Sequence, residues 1–232
     1  MKKGILYGVG VGPGDPGLMT VKAVRTALDC DVIAVPHKER EKCLALKIAL
    51  GAAPELAEKP LLTVDMPMTK DKQRLEAAYI AGIDLLSQTL DTGKNVAFLT
   101  LGDVCVYSTY LYVHKRVLAD GYEAEIISGI PSFCATAARL NISLVERDEP
   151  LHVIPATYKA DTMEDILKLP GTKALMKGGK KMASIRESII ASGQEAVMVE
   201  NCGMENEKIH LDAEDIPSDA SYFSLLIVKE KM

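Results

Sequence analysis

The sequence lacks a basic excess. Its 232 residues carry 27 Lys and Arg against 32 Asp and Glu, for a formal net charge of −5. That argues against nucleic acid as the main partner, because a phosphate backbone demands a basic face. It also lacks paired cysteine motifs. Cys30, Cys43, Cys105, Cys134 and Cys202 are odd in number and form no CxxC, and only four scattered histidines accompany them. Neither a disulfide framework nor a protein-bound metal is therefore expected, and free thiols fit a reducing cytosol. No run approaches the roughly 18 apolar residues that a membrane-spanning helix needs, so no membrane partner is expected. The opening MKKGILYGVGVGPGD pairs two lysines with an apolar run, but the run is short and breaks into Gly-Pro-Gly-Asp. It reads as a strand rather than a secretory signal, and a cytoplasmic protein is expected.

What is present is enough apolar material for a real core. Hydrophobic residues make up 48% of the chain, which allows one large domain or two of roughly 100 residues each. Short apolar runs alternate with helical spacing through the first half. Strands are expected at Gly4–Val11, Asp31–Val35 and Asn95–Leu101, with a further apolar run at Leu61–Val64. Helices are expected at Gly17–Leu28, Glu41–Leu50, Asp71–Leu90 and Tyr107–Leu118, with Gly93 closing the third. This is the pattern of an α/β domain with a mainly parallel sheet.

Gly121 marks a break, placing the domains at 1–118 and 122–232. The second half has strands at Glu125–Ile127, Leu151–Pro155 and Ala174–Lys177, and helices at Pro131–Leu140, Thr162–Leu167 and Met182–Ser192. Three strand-like runs then follow without long helices between them: Ala196–Glu200, Lys208–Leu211 and Ser221–Val228. Consecutive strands of this kind predict an antiparallel edge on a mixed sheet.

Three motifs stand at predicted strand ends. The first is Gly8-Val-Gly-Val-Gly-Pro-Gly-Asp15, whose glycines permit a sharp turn and close approach of a ligand. It superficially resembles a dinucleotide fingerprint. However, Pro13 interrupts it, and the second strand runs into Pro36-His37 rather than the acidic residue a nicotinamide site expects. A tight structural turn is the alternative reading. The second is Leu101-Gly102-Asp103-Val104, where backbone amides and a carboxylate would meet a small polar ligand, or where Asp103 would simply cap a helix. The third is Ser128-Gly-Ile-Pro-Ser132, before a helix rich in small residues; Ser132 would cap that helix or help form an anion site.

In this order the three motifs resemble the tetrapyrrole methylase family. Ala174-Leu-Met-Lys-Gly178, Val199-Glu-Asn-Cys-Gly203 and Tyr222-Phe-Ser-Leu-Leu-Ile-Val228 continue the likeness over essentially the whole chain. VAFLTLGDVCVYSTY, YFSLLIV and Met66-Pro-Met-Thr-Lys70 are similar to its branch that methylates C20 of precorrin-2 or cobalt-precorrin-2.

The resemblance implies two α/β domains with S-adenosylmethionine in the cleft between them. It implies release of S-adenosylhomocysteine, a small-molecule tetrapyrrole substrate and a homodimer. It further implies cofactor contacts at Pro13, Leu101, Gly102, Asp103, Val106, Pro131, Ser132, Met176, Gly203 and Ser224. Two positions depart from the family pattern. Val104 stands where proline is frequent, and Pro131 where threonine is common, so that a hydroxyl contact there would be lost.

The substrate carries eight carboxylates, so the acidic chain needs a locally basic cleft. His37, Lys38 and Arg40 would supply part of it, with Asp15 and Tyr158 also on the substrate side. Candidates to accept the C20 proton are Tyr107, His37, Tyr158 and Glu200, each at or beyond a predicted strand end. For each, a structural hydrogen bond is the plainer alternative. Rival readings are a methyltransferase of the same fold acting on another substrate, such as diphthine synthase, or acting on ribosomal RNA; a dinucleotide-dependent oxidoreductase; and a non-catalytic S-adenosylmethionine-binding module.

Overall fold

The computed structural model describes residues 2–67, 69, 71–156 and 160–231, with backbone only at 160, 161 and 180. Tyr158, together with Met68 and Lys70 of the Met66–Lys70 motif, lies outside the described residues. Two compact units divide at Pro131 and Ser132.

The first unit alternates strand and helix: β1 (Ile5–Gly10), α1 (Val21–Asp29), β2 (Val32–Val35), α2 (Leu44–Ala52), β3 (Leu61–Thr63), α3 (Lys72–Asp91), β4 (Val96–Thr100), α4 (Tyr110–Ala119) and β5 (Glu123–Ile127). The strands lie in the order β3-β2-β4-β1-β5, all parallel. Period-two alternation decides which face each side chain covers. On β4, Val96 and Phe98 join Leu86 and Leu90 of α3 and Val113 and Val117 of α4. Ala97 and Leu99 join Ala23 and Ala27 of α1 and Ile48 of α2 on the other face. Fully burying a side chain such as Phe98 contributes about 1.5–3 kcal/mol. Gly8 is required on the first of these faces: a Cβ there would stand 2.1 Å from the Tyr110 ring.

Helix ends follow local chemistry. The helix expected over Gly17–Leu28 begins at Val21, because the Thr20 hydroxyl accepts the Ala23 N–H at 3.1 Å. Asp71 caps α3 by accepting from Gln73 and Arg74, and Gly93 closes it at φ +81°.

The second unit contains α5 (Ser132–Leu140), β6 (Leu151–Pro155), α6 (Ala160–Leu167), β7 (Thr172–Met176), α7 (Met182–Ser192), β8 (Glu195–Glu200), β9 (Lys208–His210) and β10 (Ser224–Lys229). Its sheet runs β6-β7-β10-β8-β9, parallel at β6–β7 and antiparallel elsewhere, so it is mixed with an antiparallel edge, as its closing strands predict. Leu226 and Val228 face Met182, Ile185 and Ile189 of α7, while Leu225 and Ile227 face Ala137 of α5.

The sequence break at Gly121 suggests that the second domain begins at 122. The tertiary structure instead pairs Glu123–Ile127 in parallel with β1, so this strand completes the first sheet. The break is the turn between α4 and β5. Among the described residues, no helix is long and apolar enough to cross a membrane.

Candidate active site

In the first unit, α1 packs on one face of the sheet and α4 on the other, so the chain leaves β1 and β4 in opposite directions. Such a switch point opens a crevice at the carboxyl ends of the strands. All three sequence motifs of this unit meet there. Gly12 and Gly102 exchange backbone hydrogen bonds of 3.2 and 2.8 Å across an isolated bridge. A Cβ on Gly129 would stand 2.2 Å from the Gly102 carbonyl oxygen and 2.8 Å from the Gly10 carbonyl carbon. A Cβ on Gly10 would stand 2.6 Å from the Gly129 nitrogen. These glycines interlock backbone against backbone.

Asp103 fastens them. It is 7% exposed. Its Oδ1 accepts the Cys105 N–H at 2.8 Å; its Oδ2 accepts the Ser128 hydroxyl at 2.5 Å and the Gly129 N–H at 2.9 Å. The carboxylate therefore serves three internal donors, and a ligand would be met by the loop's backbone. Helix α4 starts only at Tyr110, so Asp103 caps a loop turn rather than that helix. Ser128 and Gly129, its partners, lie within the third motif but carry no role in a reading of residue types.

The residues fit a cofactor beside Gly102. Held at φ +71°, this glycine would place a Cβ no nearer than 4.0 Å to its closest neighbour, the Ile130 carbonyl oxygen. Space therefore lies beside it, where Gly10 and Gly129 have none. Leu101 and Val106 are half-buried around it, Pro13 is buried, and Pro131 is half-buried. Tyr107 is 47% exposed and holds a strained φ of 50°. Strain of this kind collects where a surrounding structure imposes it, often at functional sites.

The expected basic group after β2 is partly neutralised. Lys38 pairs with Asp65 at 2.8 Å and Lys42 with Glu39 at 2.7 Å, while Arg40 is exposed. The lysine holds the Glu39 carboxyl below its ordinary range. Nδ1 of His37 accepts the Glu39 N–H at 3.0 Å, so a neutral ring carries its proton on Nε2. Asp15 caps the turn after the first motif by accepting the Gly17 N–H at 2.8 Å.

In the second unit, Ser132 opens α5, Met176 ends β7 and Ser224 opens β10. The Ser224 hydroxyl donates to the Ser221 carbonyl at 2.6 Å. Gly203 is exposed at φ +77°. Lys177 after β7 and Asn201 after β8 also hold positive φ, 61° and 51°. Glu200 is engaged at both oxygens, with His210 Nε2 at 3.1 Å and the Ser221 N–H at 2.6 Å. His210 went unmarked in the sequence, because its place diagonal to Glu200, opposite Met198, depends on strand register. A shallow groove of Glu76, Tyr79, Ile80, Ile83, Tyr112 and Arg116 lies on α3 and α4, with the two tyrosine rings stacked at 5.8 Å.

The chain is similar over nearly its whole length to two named enzymes. It is 34% identical to a precorrin-2 C(20)-methyltransferase of Sinorhizobium sp., covering 97% of this chain and 95% of that one. It is 35% identical to a probable cobalt-precorrin-2 C(20)-methyltransferase of Methanocaldococcus jannaschii, again covering 97% and 95%. Its fold matches a uroporphyrin-III C-methyl transferase of Thermus thermophilus solved with S-adenyl homocysteine, at 20% identity and a TM-score of 0.71 over 98% of both chains. The family model for tetrapyrrole (corrin/porphyrin) methylases matches residues 5–216. With its glycine-interlocked loops in place and its sequence matched over that span, the chain belongs to the tetrapyrrole methylase family.

Proposed function

We propose that this protein transfers a methyl group from S-adenosylmethionine to C20 of a reduced tetrapyrrole, precorrin-2 or its cobalt chelate, in the cobalamin pathway. The observation that carries the reading is the near full-length likeness to two enzymes named for that reaction. When bound, the cofactor supplies a methyl group on a sulfonium leaving group, so little activation is asked of the protein.

The chain's own task is alignment and exclusion of water. In the first unit, Pro13, Leu101, Gly102, the Asp103 backbone, Val106 and Pro131 are the proposed cofactor contacts. In the second they are Ser132, Met176, Gly203 and Ser224. Holding the Gly10, Gly102 and Gly129 backbones rigidly together pre-forms the first set. Arg40, His37 and Lys38 are proposed to meet substrate carboxylates. His37 is a poor proton acceptor while its Nδ1 takes the Glu39 N–H. The C20 proton is proposed to pass to water, with the Tyr107 hydroxyl relaying it.

The assembly is proposed to be a cytoplasmic homodimer joined through the α3–α4 groove. There Tyr79, Ile80, Ile83 and Tyr112 offer apolar surface beside Glu76 and Arg116, the arginine already paired with Asp120. Sedimentation as a single-chain species would remove that element.

The test of the reaction incubates purified protein with S-adenosylmethionine and precorrin-2, with and without cobalt in the ring. The expected result is a mass gain of one methyl on the macrocycle, assigned to C20 by NMR. Methylation elsewhere, or binding of NAD without S-adenosylmethionine, would overturn the reading.

A further inference from the structure

We infer that Glu200 and His210 form a positioning pair that sets the conformation of two loops in the second unit, and that Glu200 does not accept the substrate proton. The inference rests on the proposal that Gly203 and Ser224 contact S-adenosylmethionine.

Glu200 is the last residue of β8 and 5% exposed. Its two carboxylate oxygens look in different directions. Oε1 meets His210 Nε2 on β9, and Oε2 accepts the Ser221 N–H. His210 in turn sets its Nδ1 3.0 Å from the Asp215 carbonyl oxygen. A carbonyl only accepts, so Nδ1 carries a proton. One buried carboxylate thus ties together the end of β8, the edge strand β9, the turn at 212–216 and the turn at 221–224.

The ties extend to Ser224 and to the turn that leads into Gly203. The Ser221 hydroxyl donates to Asn201 Oδ1 at 2.9 Å, and its carbonyl accepts from Ser224 N–H at 3.2 Å and Ser224 Oγ at 2.6 Å. The Asn201 N–H donates to the Phe223 carbonyl at 3.0 Å, and its Nδ2 to the Asn206 carbonyl at 3.3 Å. Asn201 is held at φ 51°, and Gly203 follows at φ +77°. Ser224 is therefore placed by hydrogen bonds that lead back to Glu200, and the same network holds Asn201 two residues before Gly203, whose own N–H donates to Glu207 Oε2 at 2.8 Å. A proton acceptor needs a lone pair turned to its substrate, whereas these oxygens are turned to the His210 ring and the Ser221 N–H.

The test uses the full-length protein with Glu200→Gln, His210→Ala and His210→Gln, measuring S-adenosylmethionine binding by calorimetry and steady-state rates against both substrates. In Glu200→Gln the amide oxygen can still accept the Ser221 N–H, and the amide N–H can donate to the His210 Nε2 lone pair left when Nδ1 holds the proton, so the ties survive. In His210→Ala the carboxylate loses its partner. His210→Ala should raise the Kd and KM for S-adenosylmethionine about tenfold, the effect of one lost buried hydrogen bond, while Glu200→Gln should change them little. The kcat at saturation and the tetrapyrrole KM should stay within about twofold, since ground- and transition-state binding fall together. His210→Gln keeps an N–H for Glu200 and should recover much of the affinity. A large fall in kcat with unchanged cofactor affinity in Glu200→Gln would make Glu200 the proton acceptor and overturn the inference. So would unchanged cofactor affinity in all three variants with lowered thermal stability alone. Failure of the unmodified protein to bind S-adenosylmethionine would instead overturn the cofactor reading beneath it.

Discussion

The two units each fasten their strand-end loops to one buried carboxylate, but they do it with different materials. Around Asp103 the donors are two backbone amides and a hydroxyl, and three glycine backbones touch directly. Around Glu200 one oxygen meets the imidazole of His210 and the other accepts the Ser221 backbone N–H, and the side chains of Ser221 and Asn201 carry the tie onward. The sheets explain the contrast. In the first, β4, β1 and β5 are parallel neighbours, so their carboxyl ends finish side by side and their loops touch without long excursions. In the second, β8, β9 and β10 are antiparallel, so the connections at 201–207 and 211–223 return along the edge and span more open ground. Backbone contact suffices where strand ends converge; side-chain ties are needed where they do not.

The sharpest way to break this comparison is a methyl group at the glycine interlock. In Gly129→Ala the new Cβ meets only backbone, at 2.2–2.9 Å, and none of it can swing away. Overpacking of this kind should destabilise the protein by about 3 kcal/mol, seen as a lowered Tm together with weakened cofactor binding. Gly203→Ala, the corresponding loop glycine of the second unit at φ +77°, should cost the left-handed backbone penalty of about 1–2 kcal/mol. If Gly203→Ala proves the costlier change in thermal denaturation, the contrast between the units fails.

A smaller effect is expected from Asp103→Asn. The amide nitrogen must oppose either the Cys105 N–H or the Ser128 and Gly129 donors, leaving at least one buried donor unmet, at about 2 kcal/mol. Urea denaturation measures it, and a change near zero would mean that the glycine contacts alone hold these loops.

The smallest effect is a pH dependence confined to the second unit. The Thr172 hydroxyl, 2.7 Å from Glu149, holds that carboxyl below its usual range, assisted by the Glu146 backbone and by Lys229 at 3.5 Å. A depressed carboxyl adds stability above its unfolded value of about 4.3 and loses it as pH falls through the folded value. Glu149→Gln should therefore lower stability slightly at neutral pH, with the difference from the parent protein vanishing as pH falls below about 4. A shift confined to alkaline pH would contradict this assignment.

Much of this was legible in the residues themselves. The alternation within VAFLT is the two-faced burial of β4, and Gly93 ends α3 at the positive φ expected of it. The antiparallel edge was readable because β8, β9 and β10 follow one another without a helix long enough to cross a sheet. The limits were equally specific. Gly121 has the look of a domain break, yet β5 returns to β1, since a turn glycine looks the same within a domain as between two.

The sequence by itself determined the α/β class, the places where glycine must stand and the family, because these rest on local periodicity and on short motifs. The tertiary structure alone decided that the Asp103 carboxylate is spent on internal donors, that Lys38 is paired with Asp65, and that His210 stands beside Glu200. Each of these depends on strand order or register, and a pattern of residue types along one strand carries no record of which residue faces it from the next.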